Sequence, residues 1–119
     1  FGGHPVSCAA AKAALQVIID EHLVDNANEM GILFRENVKH EKVKQIRGNG
    51  LFLAVELDDI FIPDFMKFAA DRGVIFDPFL FNSSAFRIAP PLIITKEQVI
   101  DVSAKLIDLI EKFIYKKGK

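Results

Sequence analysis

Four segments of the chain have the hydrophobic pattern or the composition of helices. The first is expected from Val6 to about Leu23, where strong helix formers dominate. It begins at Pro5, which suits a first helical turn because no N–H is needed there. The second is expected from about Asp25 to Val38, with hydrophobic residues three and four apart. Its stripe consists of Ala27, Met30, Leu33, Phe34 and Val38.

The other two predicted helices have clear end signals. One spans Pro63 to Arg72 and stops at Gly73, because glycine readily adopts the left-handed conformation that ends many helices. The other follows Thr95, which forms a capping box with Gln98, so that each side chain bonds the backbone N–H of the other residue. The hydrophobic stripe of this last helix consists of Val99, Val102, Leu106, Ile110 and Phe113.

Between these helices the pattern changes to that of strands. Residues 43–47 and 51–57 are expected to form a hairpin, since Gly48-Asn49-Gly50 between them tolerates positive φ. Residues 74–76 and 86–88 predict two more short strands. The order of the elements predicts an α+β fold: a small, mainly antiparallel sheet of about four strands, covered by helices, with a long N-terminal connecting helix.

The composition indicates that this domain has a partner. Half of the 119 residues are hydrophobic, and eleven are Phe, whose side chain has no polar group and prefers full burial. A domain of this size can bury only part of such a surface internally. We therefore expect a hydrophobic face that covers another domain or another chain. A self-sufficient domain of unusually hydrophobic composition is the alternative.

Charge, hydropathy and cysteine content narrow the class of protein. With 15 basic and 16 acidic residues and no basic patch among aromatic residues, nucleic-acid binding has no electrostatic support. No hydrophobic run is long enough for a membrane span. Cys8 lies in an Ala-rich segment and is expected to be a buried thiol in a reducing compartment, which predicts a cytoplasmic protein. Because the chain begins on Phe1-Gly2-Gly3, a segment typical of a loop interior, we expect it to be truncated.

Few residues have the spacing of a chemical site. His4, His22 and His40 are scattered, without the pairing of a metal site, and are expected to be surface or capping residues. The serines lack a nucleophile-elbow context, which argues against a hydrolase triad. Phe1-Gly2-Gly3 before a helix is similar to half of a phosphate-binding loop, because exposed N–H groups and a helix N-terminus favour an anion. A plain interdomain turn is the alternative.

Arg87 is the strongest candidate for a binding residue. It lies in the hydrophobic segment Phe86-Arg87-Ile88-Ala89-Pro90-Pro91-Leu92. An unpaired buried charge is very costly, so the guanidinium group must reach solvent or contact an anion. Its planar shape matches a carboxylate, which it can bind with two parallel hydrogen bonds. An intradomain salt bridge and a solvent-facing strand position are the alternatives.

Four motifs occur in order along essentially the whole chain. They are Phe1-Gly2-Gly3-His4-Pro5 with the Ala-rich helix after it, Ile46-Arg47-Gly48-Asn49-Gly50-Leu51, Arg72-Gly73-Val74-Ile75, and Phe86-Arg87-Ile88-Ala89-Pro90-Pro91. Together they resemble class-III, pyridoxal-phosphate-dependent aminotransferases of the acetylornithine, ornithine and lysine type. The resemblance implies that residues 1–119 are the C-terminal small domain of such an enzyme, with a connecting segment and helix in residues 1–23.

The resemblance also implies an activity and a set of contacts. The enzymes of this family are fold-type-I homodimers, and this type would transfer an amino group from ornithine, N-acetylornithine, lysine or 4-aminobutyrate to 2-oxoglutarate. Pyridoxal 5'-phosphate would be held mainly by a large domain that is missing here, as a Schiff base to a lysine of that domain. Arg87 would bind the α-carboxylate of the substrate. Phe1, Gly2 and Gly3 would lie near the phosphate of the cofactor.

The lysine that carries the cofactor precedes the first motif in this family and is therefore absent. The lysines of this chain flank a polar turn or form its tail, whereas a nucleophilic amine needs a pKa lowered by burial or by a like charge. We therefore expect the isolated chain to be inactive. A stand-alone binding or regulatory module for a carboxylate metabolite is the alternative to an aminotransferase fragment.

Overall fold

The structure, a computed structural model, describes residues 2–117 as four helices and one four-stranded sheet. This confirms the predicted α+β fold. The elements are α1 (Pro5–Asp20), α2 (Leu23–Asn37), β1 (Val43–Asn49), β2 (Phe52–Leu57), α3 (Ile62–Ala70), β3 (Asp77–Phe79), β4 (Asn82–Ile88) and α4 (Lys96–Lys117). All four predicted helices are present, and α1 ends at Asp20, before the predicted Leu23.

The sheet has the strand order β1-β2-β4-β3, and each pair of neighbours is antiparallel. The predicted hairpin is confirmed, since β1 and β2 pair from Val43 and Leu57 to Asn49 and Phe52. β1 continues to Asn49 instead of ending at residue 47, so the turn is tighter than expected. Gly50 begins this turn with a φ of 50°, a conformation that glycine adopts without the strain of a Cβ atom.

The third strand differs from the prediction. Residues 74–76 are not a strand, and β3 lies at Asp77–Phe79. The backbone N–H of Val74 donates to the carbonyl oxygen of Ala69 (3.0 Å), so it completes the end of α3 rather than a strand ladder. Val74 and Phe76 pack against the core as a connection. These residues are hydrophobic because they pack against the core. In so short a hydrophobic run, the sequence pattern does not distinguish such a connection from a strand.

The core lies between one face of the sheet and the helices α2, α3 and α4. Leu53 and Val55 of β2 and Phe86 of β4 are fully or almost fully buried on this face. Phe65 of α3 is also fully buried, and its ring centroid lies 5.7 Å from that of Phe86 and 5.5 Å from that of Phe113 in α4. These aromatic contacts join α3, α4 and the sheet into one hydrophobic cluster.

The start of α4 has the predicted capping box. The backbone N–H of Thr95 donates to Oε1 of Gln98 (2.9 Å), and the backbone N–H of Gln98 donates to Oγ1 of Thr95 (3.3 Å). Four residues of the predicted stripe are buried: Val99, Leu106, Ile110 and Phe113. Val102 is the exception, because it is exposed at the edge of the stripe.

Helix α1 contributes nothing to this core. None of its residues is buried, and even the hydrophobic side chains of Leu15 and Ile19 are each 58% exposed. The prediction that Cys8 is a buried thiol was wrong, since its side chain is exposed. The Ala-rich sequence around Cys8 therefore marks a helix with an uncovered hydrophobic surface rather than a core helix. This surface agrees with the expected hydrophobic face.

Candidate functional site

Arg87 is the next-to-last residue of β4, on the face of the sheet opposite the core. Its neighbours Phe86 and Ile88 are 0% and 7% exposed and both belong to the core. Because successive side chains of a strand point to opposite faces, Arg87 is directed away from the core. It is half-buried there.

Two aromatic rings flank the guanidinium group. Its Cζ lies 5.1 Å from the ring centroid of Phe52 in β2 and 5.0 Å from that of Phe79 in β3. Cζ-to-centroid distances below about 6 Å allow cation–π attraction. Nε of Arg87 is buried and has no hydrogen-bond partner among the described residues. Sequence reasoning found Arg87 but not the two rings, because they come from other strands and only the register brings them to it.

The same face carries a second charged group that is fully paired. The carboxylate of Glu56 lies 3.0 Å from Nζ of Lys44 and 3.3 Å from Nη2 of Arg47, and it accepts a hydrogen bond from Gln45 (2.7 Å). The bonds from Gln45 and Lys44 lower the pKa of Glu56, and the bond to Glu56 raises the pKa of Lys44. Glu56 therefore forms an ion pair with each of the two basic residues of β1.

Arg87 has no such counter-ion. Within residues 2–117 the strands carry three basic side chains, and it is the one without an ion pair. The predicted alternative of an intradomain salt bridge is thus wrong for the described part of the chain. An arginine with a buried, unpartnered N–H and two aromatic neighbours is suited to bind an anion.

The glycines of the predicted phosphate loop lie on a different element. Gly2 and Gly3 are exposed before α1, and Gly3 has a φ of 82°. A Cβ on either residue would meet nothing within 4 Å, so the backbone is open to a ligand. Pro5 stands in the first turn as predicted, and His4 precedes the helix without a side-chain capping bond. Phe1, the third residue of this prediction, lies outside the described residues.

The described residues do not by themselves fit pyridoxal phosphate. The cofactor needs an amine held in a site that lowers its pKa. Every lysine side chain that the structure describes is exposed, except that of Lys42, which is half-buried and lies 3.2 Å from Asp59. A cofactor lysine would have to come from another part of the protein.

No group of three or more His, Cys, Asp or Glu side chains within residues 2–117 could hold a metal ion. In the same range, no helix has both the length and the hydropathy to cross a bilayer.

The sequence is similar to known aminotransferases. Ornithine aminotransferase 2 of Staphylococcus aureus is 41% identical over 102 residues, which cover 83% of this chain and 25% of that protein. Ornithine aminotransferase 1 of Staphylococcus saprophyticus is 35% identical over 115 residues, which cover 94% of this chain and 28% of that protein. This chain therefore spans only about a quarter of the length of these relatives.

Solved structures of aminotransferases are also similar to this chain. The ornithine aminotransferase of Toxoplasma gondii superposes with a TM-score of 0.84 at 34% identity, covering 98% of this chain and 29% of that one. The acetylornithine aminotransferase of Elizabethkingia anophelis superposes with a TM-score of 0.85 at 32% identity, covering 94% of this chain and 31% of that one. The sequence profile of the family described as Aminotransferase class-III matches residues 1–110. The chain belongs to the class-III aminotransferase family.

Proposed function

We propose that this chain is the C-terminal small domain of a longer, pyridoxal-phosphate-dependent aminotransferase. The whole enzyme would move an amino group from ornithine, N-acetylornithine, lysine or 4-aminobutyrate to 2-oxoglutarate. Membership of the family supports the reaction class, and the names of the relatives described above favour ornithine or acetylornithine as donor. The short coverage of those relatives supports a chain that contributes only part of an active site.

The observation that carries this proposal is the environment of Arg87. Both the amino donors and the oxo acid acceptor carry a carboxylate, for which the enzyme needs a fixed cation. Arg87 combines a buried Nε that lacks a partner among the described residues with a half-buried position on the sheet face opposite the core. A carboxylate there would pair with the guanidinium group through two charge-assisted hydrogen bonds. In the proposal, Arg87 binds the substrate's carboxylate and orients it for the reaction.

The cofactor would be bound mainly by the missing large domain. When bound, pyridoxal phosphate supplies the electron sink that makes amino-group transfer possible. Gly2 and Gly3 would place backbone N–H groups near its phosphate, with the N-terminus of α1 adding a favourable dipole. The exposed hydrophobic residues of α1 support the proposal that the large domain and the second subunit of a homodimer cover this helix. Alone, the chain would neither retain the cofactor nor catalyse the reaction.

The direct experiment replaces Arg87 in the full-length enzyme. Arg87→Ala removes a charged, two-point contact and is expected to lower kcat/KM by about 30- to 1000-fold, which corresponds to roughly 2–4 kcal/mol. Arg72→Ala is the matched control, because Arg72 also stacks on an aromatic ring, that of Phe68 (3.6 Å), but at the end of α3. Arg72→Ala should leave kcat/KM within about twofold. Normal turnover by Arg87→Ala would show that the carboxylate binds elsewhere.

A second measurement separates a fragment from a stand-alone binding module. The full-length protein should keep pyridoxal phosphate through dialysis, and the 119-residue chain should not. If the short chain instead bound simple dicarboxylates with micromolar affinity and no cofactor, a carboxylate-binding module would be the better description.

A further inference from the structure

Two exposed or half-buried phenylalanines have no role in the core but lie beside the guanidinium group of Arg87. Phe52 of β2 is 62% exposed, and Phe79 of β3 is half-buried. An exposed phenylalanine gains little from hydrophobic burial, so its position on this face needs another reason. The contact with Arg87 supplies one.

The strand register places the rings on opposite diagonals of Arg87. Its direct cross-strand neighbours are Ala54 on β2 and Asp77 on β3. Phe52 precedes Ala54 by two positions, which places it on the face of Arg87. Phe79 follows Asp77 by two, across a register irregularity between Pro78 and Phe79, and its ring centroid lies 5.0 Å from Cζ of Arg87. Since β2 and β3 both run antiparallel to β4, one ring lies toward each end of β4. The guanidinium group thus has one ring on each side along β4.

This arrangement matters because arginine is flexible. A free arginine side chain loses considerable rotamer entropy when it binds a ligand. Contact with two rings removes part of that freedom in advance, and guanidinium is weakly hydrated enough to stack on them. The N–H groups lie in the plane of the guanidinium group, and a phenylalanine ring has no lone pair to accept their hydrogen bonds. These N–H groups therefore stay available to a carboxylate.

We infer that Phe52 and Phe79 are positioning residues that hold the guanidinium group of Arg87 in the orientation that binds the substrate's carboxylate. The inference rests on the proposed role of Arg87. It assigns both rings to ground-state binding of the carboxylate, not to the transfer of the amino group. It also predicts that their effect passes entirely through Arg87.

The test uses the full-length holoenzyme with Phe52→Leu and Phe79→Leu. Each variant should raise KM for 2-oxoglutarate by about threefold to tenfold, the range of a partly exposed cation–π contact, and should change kcat by less than about twofold. Phe52→Tyr and Phe79→Tyr, which keep an aromatic face, should restore KM. Phe81→Leu is the control, because Phe81 is 99% exposed in the β3–β4 turn and should leave KM unchanged.

A double-mutant comparison shows whether the rings act through Arg87. In an Arg87→Ala background, Phe52→Leu and Phe79→Leu should have no further effect on KM. An equal rise of KM in both backgrounds would overturn the inference, because the rings would then act independently of Arg87. A rise of KM in Arg87→Ala without any rise in the two Phe→Leu variants would also overturn it, while leaving the proposed function intact. Unchanged kinetics in Arg87→Ala itself would refute the proposed function first.

Discussion

Gly31 of α2 packs directly against Gly50 in the turn between β1 and β2. Gly31 is buried, and a Cβ atom at this position would overlap the backbone carbonyl of Gly50. The absence of a side chain lets the helix and the hairpin approach closely. From the next turn of α2, Arg35 then donates hydrogen bonds to the carbonyl oxygens of Ile46 and Gly48 in β1. The contact therefore fixes α2 on the edge of the sheet.

Replacing Gly31 should destabilise the fold. Gly31→Ala puts a methyl group against backbone that cannot move without disturbing the hairpin, so we expect the free energy of unfolding to fall by about 1–3 kcal/mol. Urea unfolding of the chain measures this change. Gly2→Ala is the control, because a Cβ there meets nothing within 4 Å. Equal stability of the two variants would contradict the close contact.

Phe65 should contribute strongly to the stability of the core. It is fully buried and contacts rings from the sheet and from α4, so Phe65→Ala should cost about 3–5 kcal/mol through lost burial and the resulting cavity. Phe81→Ala should cost less than about 0.5 kcal/mol, because Phe81 is 99% exposed. Thermal unfolding of both variants distinguishes them. A small loss in Phe65→Ala would place the centre of the core elsewhere.

The ion cluster at Glu56 predicts a pH dependence of stability. Hydrogen bonds from Gln45 and Lys44 hold the pKa of Glu56 below its ordinary value. A carboxyl of this kind stabilises the fold above its unfolded pKa, and the contribution disappears as the pH falls through the folded pKa. The loss of stability in Glu56→Gln should therefore be largest near neutral pH. It should shrink as the pH falls below about 4, the ordinary range of a glutamate.

The measurement for Glu56 is urea unfolding of the wild type and of Glu56→Gln across this pH range. Glu41→Gln serves as control, because Glu41 is exposed before β1 and takes part in none of the bonds to Lys44 or Arg47. Its stability should follow the wild type at each pH. A Glu56→Gln deficit that stayed constant from neutral to acidic pH would show that the carboxylate charge is not responsible.

Helix α1 should depend on a partner for its stability. No residue of α1 is buried, so its backbone hydrogen bonds can open without disrupting the core. In the isolated chain its amides should exchange with solvent quickly, and in the full-length protein at least about tenfold more slowly. The amides around Ile110 of α4, which is fully buried, should be protected in both. Strong protection of α1 in the isolated chain would remove the need for a covering domain.

Features that depend on residues close together in the sequence could be predicted well. The capping box of Thr95 and Gln98 and the first turn at Pro5 follow from bonds within a few residues, and the structure has both. The hydrophobic stripes of α2 and α4 were almost correct, since helical period and burial are linked along one element. The four motifs indicated the family without any tertiary contact, and the match of the class-III aminotransferase profile to residues 1–110 shows it.

Several features depended on contacts between distant parts of the chain. Cys8 is exposed because nothing in residues 2–117 covers its side of α1, and a sequence of small hydrophobic residues does not show this. Residues 74–76 have the composition of a strand, but the next three residues pair with β4. Strand pairing is a long-range choice that local composition does not determine.

The same division applies to the candidate site. The sequence by itself determined the fold class, the family, and Arg87 as an isolated charge in a hydrophobic strand. Only the tertiary structure decided that Arg87 faces away from the core, lacks an ion pair among the described residues, and lies between Phe52 and Phe79. The physical reason is that helix period and capping act within about one or two turns, whereas the neighbours of a strand residue are set by the register of other strands.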